Sequence, residues 1–128
     1  MNIALLFIIG LGGFIGAILR FSISALVGKV TTTAFPFGTL SVNILGSFLI
    51  GFLFLYFQHI NLSPTQRAMV ITGLLGALTT FSTFSLDTVL LLQNEFYIRA
   101  FGNVLLNVTL SIGATFLGMS VFKLIESY

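Results

Sequence analysis

The stretch GLLGALTTFSTFSLDT, residues 73–88, lies in a long apolar part of the chain, yet seven of its sixteen residues are Thr, Ser or Asp. Its hydroxyl side chains would point in almost every direction around a regular helix, and a lipid-facing helix could not satisfy them. Either other helices surround this segment or its helix is broken here, and Gly76 and the pair Thr79–Thr80 favour a break. A break would free backbone carbonyl oxygens at membrane depth, where they suit a small cation.

The composition places the whole chain in a membrane. The 128 residues are 57% hydrophobic and only 6% charged, whereas soluble domains carry about 25% charged residues. We therefore predict an all-α, polytopic membrane protein with a single four-helix domain over residues 1–128. The four transmembrane helices are expected at about 3–27, 38–57, 68–92 and 98–122. The first segment lacks a basic n-region and a cleavage site, so we expect a retained helix and not a signal peptide.

Composition also argues against several functional classes. The chain has no cysteine, which excludes a disulfide or a thiolate metal site, and its net charge of +2 comes without a basic cluster, so no nucleic acid partner is expected. The only histidine, His59, is expected in a loop without an acid or nucleophile partner, and an enzyme is therefore not predicted.

The sequence NLSPTQR, residues 61–67, is typical of a helix start, with Ser63 as N-cap and Pro64 at the first helical position.

Lysine and arginine are divided almost evenly between the two sides of the predicted membrane domain. One side has Arg67 and Lys123; the other has Lys29 and Arg99, with Arg20 near that end of the first helix. The positive-inside rule therefore gives no clear orientation. Either other factors help a weak bias, or the chain inserts both ways and pairs with its own inverted copy. Because four helices leave little room for an aqueous path, a conducting form is expected to need two or more copies.

Two segments carry stripes of polar or small residues at four-residue steps, which places each stripe on one side of a helix. These residues are Thr39, Asn43, Ser47 and Gly51 in the second segment, and Asn103, Asn107, Ser111 and Thr115 in the fourth. The fourth-segment stripe is about 18 Å long. Such residues either join helices to each other in membranes or supply hydrogen-bond donors along a permeation path.

Three further features allow a structural and a functional interpretation. Gly12 and Gly16 form a G-x-x-x-G pattern, which favours close helix packing over a dinucleotide site because no strand–turn–helix unit surrounds it. Arg20, on the same face, either snorkels to the interface or forms a cation at the mouth of an anion path. Phe81 and Phe84 share a helix face, where they either pack or turn their positive ring edges toward a small anion.

Taken together, the segments GGFIGAILRF (12–21), FGTLSVNILGSFLIG (37–51) and GLLGALTTFSTFSLDT (73–88) resemble the signature segments of the Fluc/CrcB family of fluoride channels. The resemblance covers all four helices in order. It implies a fluoride-selective passive channel in the bacterial inner membrane, which exports F⁻ from the cytoplasm and lowers its toxicity. It also implies an antiparallel, dual-topology homodimer with two pores, in which the third helix is broken in mid-membrane.

The resemblance implies roles for individual residues as well. The fluoride pore would be lined by Asn43, Phe81, Phe84, Thr39, Asn107, Ser111 and Thr115. Arg20 corresponds to a first-helix arginine and is a vestibule candidate. A structural Na⁺ at the dimer interface would be bound by the backbone carbonyls of Gly76 and Thr79, and no organic cofactor is expected. Asn103 stands where an aromatic residue is common in the family, and neither Asn103 nor Asp87 is assigned a role.

Two other functions compete with a channel. A small dual-topology, proton-coupled drug exporter would also have about four helices, but it needs a carboxylate within the membrane, and the first segment has none. A non-conducting assembly subunit would explain the glycines and stripes as packing alone, and it would have no transport activity to lose on mutation.

Overall fold

The computed structural model describes residues Met1–Tyr128 and contains helices and connecting turns only. Helix α1 spans Ile3–Val30 and α2 spans Phe37–His59. Helix α3 consists of an α-helical turn, Pro64–Arg67, the π-helical segment Ala68–Leu75 and a last α-helical turn, Gly76–Leu78. Helix α4 spans Phe81–Gln93 and α5 spans Tyr97–Glu126.

Four stretches are long and apolar enough to cross a membrane, as the sequence predicted, with α3 and α4 together counted as the third stretch. Only 20 of the 128 residues are buried, and large apolar side chains are exposed on α1, α2, α4 and α5. A chain with so little buried surface depends on lipid, or on further protein, to cover its apolar side chains. The protein is therefore a multi-pass membrane protein.

Residues at the helix ends explain several boundaries. The side chain of Asn2 accepts a hydrogen bond from the backbone N–H of Ala4 and caps α1. Ser63 caps α3 as predicted: its hydroxyl accepts from the Gln66 N–H, the Gln66 side chain accepts from the Ser63 N–H, and Pro64 occupies the first helical position. Such a capping box satisfies two backbone donors that have no partner within the helix.

Glycines bring two pairs of helices into close contact. In α1, a Cβ atom at Gly12 would collide with the Met69 carbonyl oxygen, and one at Gly16 would collide with that of Leu74. The predicted use of the G-x-x-x-G pattern in close packing is confirmed, with α3 as the partner helix. Helices α2 and α5 also pack along each other, and there Gly51 lies against the backbone carbonyl of Thr115.

The structure corrects two expectations from the sequence. Arg20 does not lie near the end of its helix, because α1 continues to Val30 and places Arg20 about 15 Å before that end. His59 is not a loop residue without an acid partner. It is the last residue of α2, and its Nδ1 lies 3.0 Å from Glu126 Oε1 at the end of α5.

Candidate functional site

Two extended residues separate α3 from α4. Thr79 has φ −84° and ψ 156°, and Thr80 has φ −152° and ψ 117°. The Asn43 side chain, on α2, pairs with the backbone of the buried residue Thr80: its Oδ1 accepts from the Thr80 N–H at 2.8 Å, and its Nδ2 donates to the Thr80 carbonyl at 3.2 Å. One amide side chain thus satisfies both backbone polar groups of a residue that has left the helix.

The Asn43 amide is the first member of a chain of three asparagines. Its Nδ2 also donates to Asn107 Oδ1 on α5, at 2.9 Å. The Asn107 Nδ2 in turn donates to both the backbone carbonyl and Oδ1 of Asn103, each at 2.9 Å. The polar stripes of α2 and α5 therefore face each other and are joined through their asparagines.

The chain continues from Asn103 to α4. Asn103 Nδ2 donates to the Thr88 hydroxyl at 3.0 Å, and that hydroxyl donates to the Phe84 carbonyl at 2.8 Å. Asn103 is completely buried, with a relative exposure of 0%. The sequence placed Asn103 in the fourth-segment stripe but assigned it no role, and it did not identify Thr88 at all.

Phe81 and Phe84 form an aromatic pair at the start of α4. Their ring centroids are 5.3 Å apart and the ring planes meet at 64°, an edge-to-face arrangement. Phe84 is buried at 8% exposure, whereas Phe81 is 79% exposed in the single chain. An edge-to-face pair turns the positive edge of one ring toward the negative face of the other. Because Phe81 is mostly exposed and Phe84 is buried, the Phe81 ring has the more accessible edge of the two.

A cavity of about 450 Å³ lies between α2, α3, α4 and α5 and brings most of the predicted site residues together. Its lining includes Asn43, Gly76, Thr79, Phe81, Phe84, Asn107 and Ser111. The Ser111 hydroxyl oxygen is buried and has no hydrogen-bond partner. A buried hydroxyl without a partner is uncommon. Ser111 also lines the cavity, and a change of its side-chain rotamer would let the hydroxyl donate to a bound ion or water.

The carbonyls of Gly76 and Thr79 lack the donors that a continuous helix would supply. In an unbroken α-helix the Thr80 N–H would donate to the Gly76 oxygen and the Thr83 N–H to the Thr79 oxygen. Here the Thr80 N–H donates to Asn43, and the Thr83 N–H donates to the Thr80 hydroxyl at 3.1 Å. Both carbonyl oxygens belong to residues of the cavity wall, and hard oxygen atoms of this kind suit a small cation.

Three predicted site residues lie outside the cavity lining. The Thr39 hydroxyl donates to Asp87 Oδ2 at 2.7 Å and ties the start of α2 to α4. The Thr115 hydroxyl donates to the Ser111 carbonyl within α5, at 3.1 Å. Arg20 has no acidic side chain within salt-bridge distance; the one contact between a basic and an acidic side chain in the structure joins His59 to Glu126.

Comparisons with known proteins agree with one another. The family model described as CrcB-like protein, Camphor Resistance (CrcB), matches residues 7–119. The fluoride-specific ion channel FluC of Nitratiruptor sp. is 55% identical over 123 residues, which are 96% of this chain and 95% of that protein. The FluC proteins of Sulfurovum sp. and Campylobacter jejuni subsp. jejuni are 60% and 51% identical, over 93% and 92% of this chain and 94% and 97% of their own lengths.

Proposed function

The chain belongs to the CrcB family, and from this premise we propose that it forms a fluoride-selective passive ion channel. Two relatives, 55% and 60% identical over almost their whole length, are named fluoride-specific ion channels. The observation that carries the proposal for this chain is the cavity between α2, α3, α4 and α5. It combines an aromatic pair, Phe81 and Phe84, with the amide of Asn43 and the unpaired hydroxyl of Ser111.

These groups are suited to a small anion. Fluoride holds its hydration water tightly, so a pore must offer strong donors in place of water. The cavity wall has two hydroxyls without a protein partner, those of Ser47 and Ser111. The amide hydrogens of Asn43 and Asn107 are already directed at protein acceptors. The Phe81 and Phe84 ring edges add electrostatic attraction without a hydrogen bond. We infer that fluoride moves between the phenylalanine ring edges and the Ser111 hydroxyl. On its way it competes with the protein acceptors for an amide hydrogen of Asn43 or Asn107.

A second, inverted copy would complete the pathway. Phe81 is 79% exposed, and the neighbouring Ser82 and Ser85 are exposed as well. The two serine hydroxyls would be unfavourable against lipid. Lysine and arginine are balanced between the two ends, which favours insertion in both orientations. An antiparallel homodimer would cover this polar face of each protomer with that of the other and would contain two equivalent pores.

The Gly76 and Thr79 carbonyls support a structural Na⁺ at the interface of that dimer. They are hard oxygen ligands freed where the third membrane-crossing stretch leaves helical geometry. The structure brings no three His, Cys, Asp or Glu residues together, so backbone oxygens are the natural ligands for a metal here. A bound monovalent cation would supply positive charge that favours anions nearby, while the protein orients the carbonyls and excludes lipid.

In the cell, the proposed task is fluoride export across the bacterial inner membrane. Hydrogen fluoride enters as a neutral molecule from an acidic medium and ionises in the more neutral cytoplasm. A passive channel lets the trapped F⁻ leave down its electrochemical gradient, helped by an inside-negative potential. Neither a nucleotide nor an organic cofactor is required for this function.

The drug exporter is not favoured. A proton-coupled exporter depends on a membrane-embedded carboxylate that changes its protonation state. The three acidic residues are Asp87, Glu95 and Glu126, and Asp87 already accepts a hydrogen bond from Thr39. The relatives are named as channels, and channels are not enzymes.

The proposed function is tested by anion efflux from liposomes that contain the purified protein. We expect rapid fluoride efflux that does not depend on a proton gradient, and chloride efflux close to that of protein-free liposomes. Ser111→Ala removes one of the two free hydroxyls of the cavity and is expected to slow fluoride efflux. Ser120→Ala is the matched control, because the exposed Ser120 hydroxyl bonds only to its own helix, at Phe116. Fluoride efflux no faster than from empty liposomes would exclude the proposed function.

A further inference from the structure

The hydrogen bonds of the asparagine chain can run in one direction only. A backbone N–H can only donate, so the Thr80 N–H requires the oxygen of the Asn43 side chain to face it. The Asn43 nitrogen must then face Asn107, and Asn107 must present its oxygen in return. The orientation of both amides follows from one end of the chain and needs no choice between O and N.

The opposite end of the chain imposes the same direction. The Phe84 carbonyl can only accept, so the Thr88 hydroxyl donates its single hydrogen there and accepts from Asn103 Nδ2. Asn103 therefore turns its oxygen toward Asn107. That oxygen and the Asn103 backbone carbonyl are the two acceptors that hold the Asn107 nitrogen.

Burial separates the residue that faces the cavity from the residue that orients it. Asn107 lines the cavity, whereas Asn103 does not and is 0% exposed. Asn103 therefore acts on the cavity only through Asn107. Without the Asn103 side chain, Asn107 would keep one acceptor, the backbone carbonyl, for two amide hydrogens, and a hydrogen would be free to turn toward the cavity.

We propose that Asn103 is a positioning residue of the anion pathway, which keeps the Asn107 amide hydrogens away from the cavity and so weakens the hold of the site on a passing ion. A conducting site must release its ion as readily as it binds it. Thr88 contributes to the same positioning, because its hydroxyl accepts a hydrogen bond from the Asn103 side-chain nitrogen. The inference rests on the proposed function for its effect on fluoride, but its hydrogen-bond geometry can be measured independently.

The principal variant is Asn103→Leu, which keeps the branching of the side chain at Cγ, with larger terminal groups, but removes both polar atoms. We expect the half-saturating fluoride concentration in liposome efflux to fall about tenfold, the equivalent of one added hydrogen bond, together with a lower maximal efflux. Loss of packing alone would reduce the amount of folded protein and the maximal efflux but leave the half-saturating concentration unchanged. An unchanged half-saturating concentration in folded Asn103→Leu protein would overturn the proposal.

Thr88 provides a second test if Asn103→Leu does not fold. Thr88→Val removes the hydroxyl at constant shape, and Thr88→Ser keeps it. We expect Thr88→Val to lower the half-saturating concentration in the same direction as Asn103→Leu, and Thr88→Ser to behave like the wild type. Thr109→Val is the matched control, since the exposed Thr109 hydroxyl bonds only to Leu105 of its own helix. Identical behaviour of Thr88→Val and Thr88→Ser would contradict the role of the hydroxyl.

A measurement without transport separates this inference from the proposed function. In full-length protein in lipid nanodiscs with ¹⁵N-labelled asparagine, the Asn107 side-chain amide protons should move upfield in Asn103→Leu, because one hydrogen bond is lost. They should stay in place in Thr109→Val. If wild-type liposomes do not release fluoride, the proposed function fails while these resonances still decide the geometry. Unmoved Asn107 resonances in Asn103→Leu would overturn the positioning role.

Discussion

The Asn43 Nδ2 and Asn107 Oδ1 atoms lie 2.9 Å apart and join α2 to α5 beside the extended residues Thr79 and Thr80. Asn43 is held there by its own pairing with the Thr80 backbone. The polar residues in the middle of an apolar chain thus have a structural task, which is to satisfy backbone groups released from a helix. The same residues line the cavity in which we place the fluoride pathway.

Replacement of Asn43 should affect both stability and transport. Asn43→Ala leaves the Thr80 N–H and carbonyl without partners, and an unsatisfied buried polar group costs about 1–3 kcal/mol. We expect a lower thermal unfolding temperature in detergent and a loss of fluoride efflux from liposomes. Asn94→Ala is the control, because the exposed Asn94 bonds only to Leu90 in the preceding turn. Normal efflux in Asn43→Ala would remove this residue from the pathway.

Variants of Phe81 and Phe84 should differ in protein stability but share a loss of fluoride transport. Phe81 is 79% exposed in the protomer and Phe84 is 8% exposed, so Phe81→Ile should change the protomer's packing little, while Phe84→Ile should also destabilise it by about 1 kcal/mol. Both variants lose an aromatic edge, and both should conduct fluoride poorly. Thermal unfolding and liposome efflux, measured on the same preparations, test this split. Wild-type efflux from Phe81→Ile would show that its ring edge does not contribute.

Two glycines of α1 offer a test of helix packing. A Cβ at Gly12 would collide with the Met69 carbonyl, whereas one at Gly10 has no atom within 4 Å. Gly12→Ala should therefore push α1 away from α3 and lower the unfolding temperature. Gly10→Ala should leave it unchanged or raise it, since alanine favours a helix by about 1 kcal/mol over glycine. Equal unfolding temperatures for the two variants would contradict the close contact.

The proposed sodium site predicts a dependence on Na⁺ that a nearby glycine controls. A Cβ at Gly46 would collide with the Thr79 methyl group, so Gly46→Ala should displace the Thr79 carbonyl and raise the Na⁺ concentration needed for half-maximal fluoride efflux. Gly113→Ala is the control, because Gly113 has no atom within 4 Å of an added Cβ. Efflux would be measured with N-methylglucamine replacing Na⁺. Wild-type efflux that is indifferent to the replacement would count against the site.

The absence of cysteine makes the proposed dual topology easy to test. Thr32, between α1 and α2, and Ser127, after α5, lie at opposite ends of the helices, and either can become the only cysteine of the chain. We expect a membrane-impermeant thiol reagent, applied from outside, to label about half of the Thr32→Cys molecules and half of the Ser127→Cys molecules. Labelling of nearly all molecules of one variant and few of the other would show a single orientation.

The sequence by itself determined the membrane class, the four membrane-crossing stretches, the capping box at Ser63 and the close packing of Gly12 and Gly16. These features depend on composition and on residues close together in the chain, and the local segments also carried the family resemblance. Only the tertiary structure decided that Asn103 holds Asn107, that Thr88 completes the hydrogen-bonded chain, and that His59 meets Glu126. Those contacts join different helices or depend on which rotamer a neighbour adopts, and four-residue spacing shows which face a side chain is on but not which partner it meets.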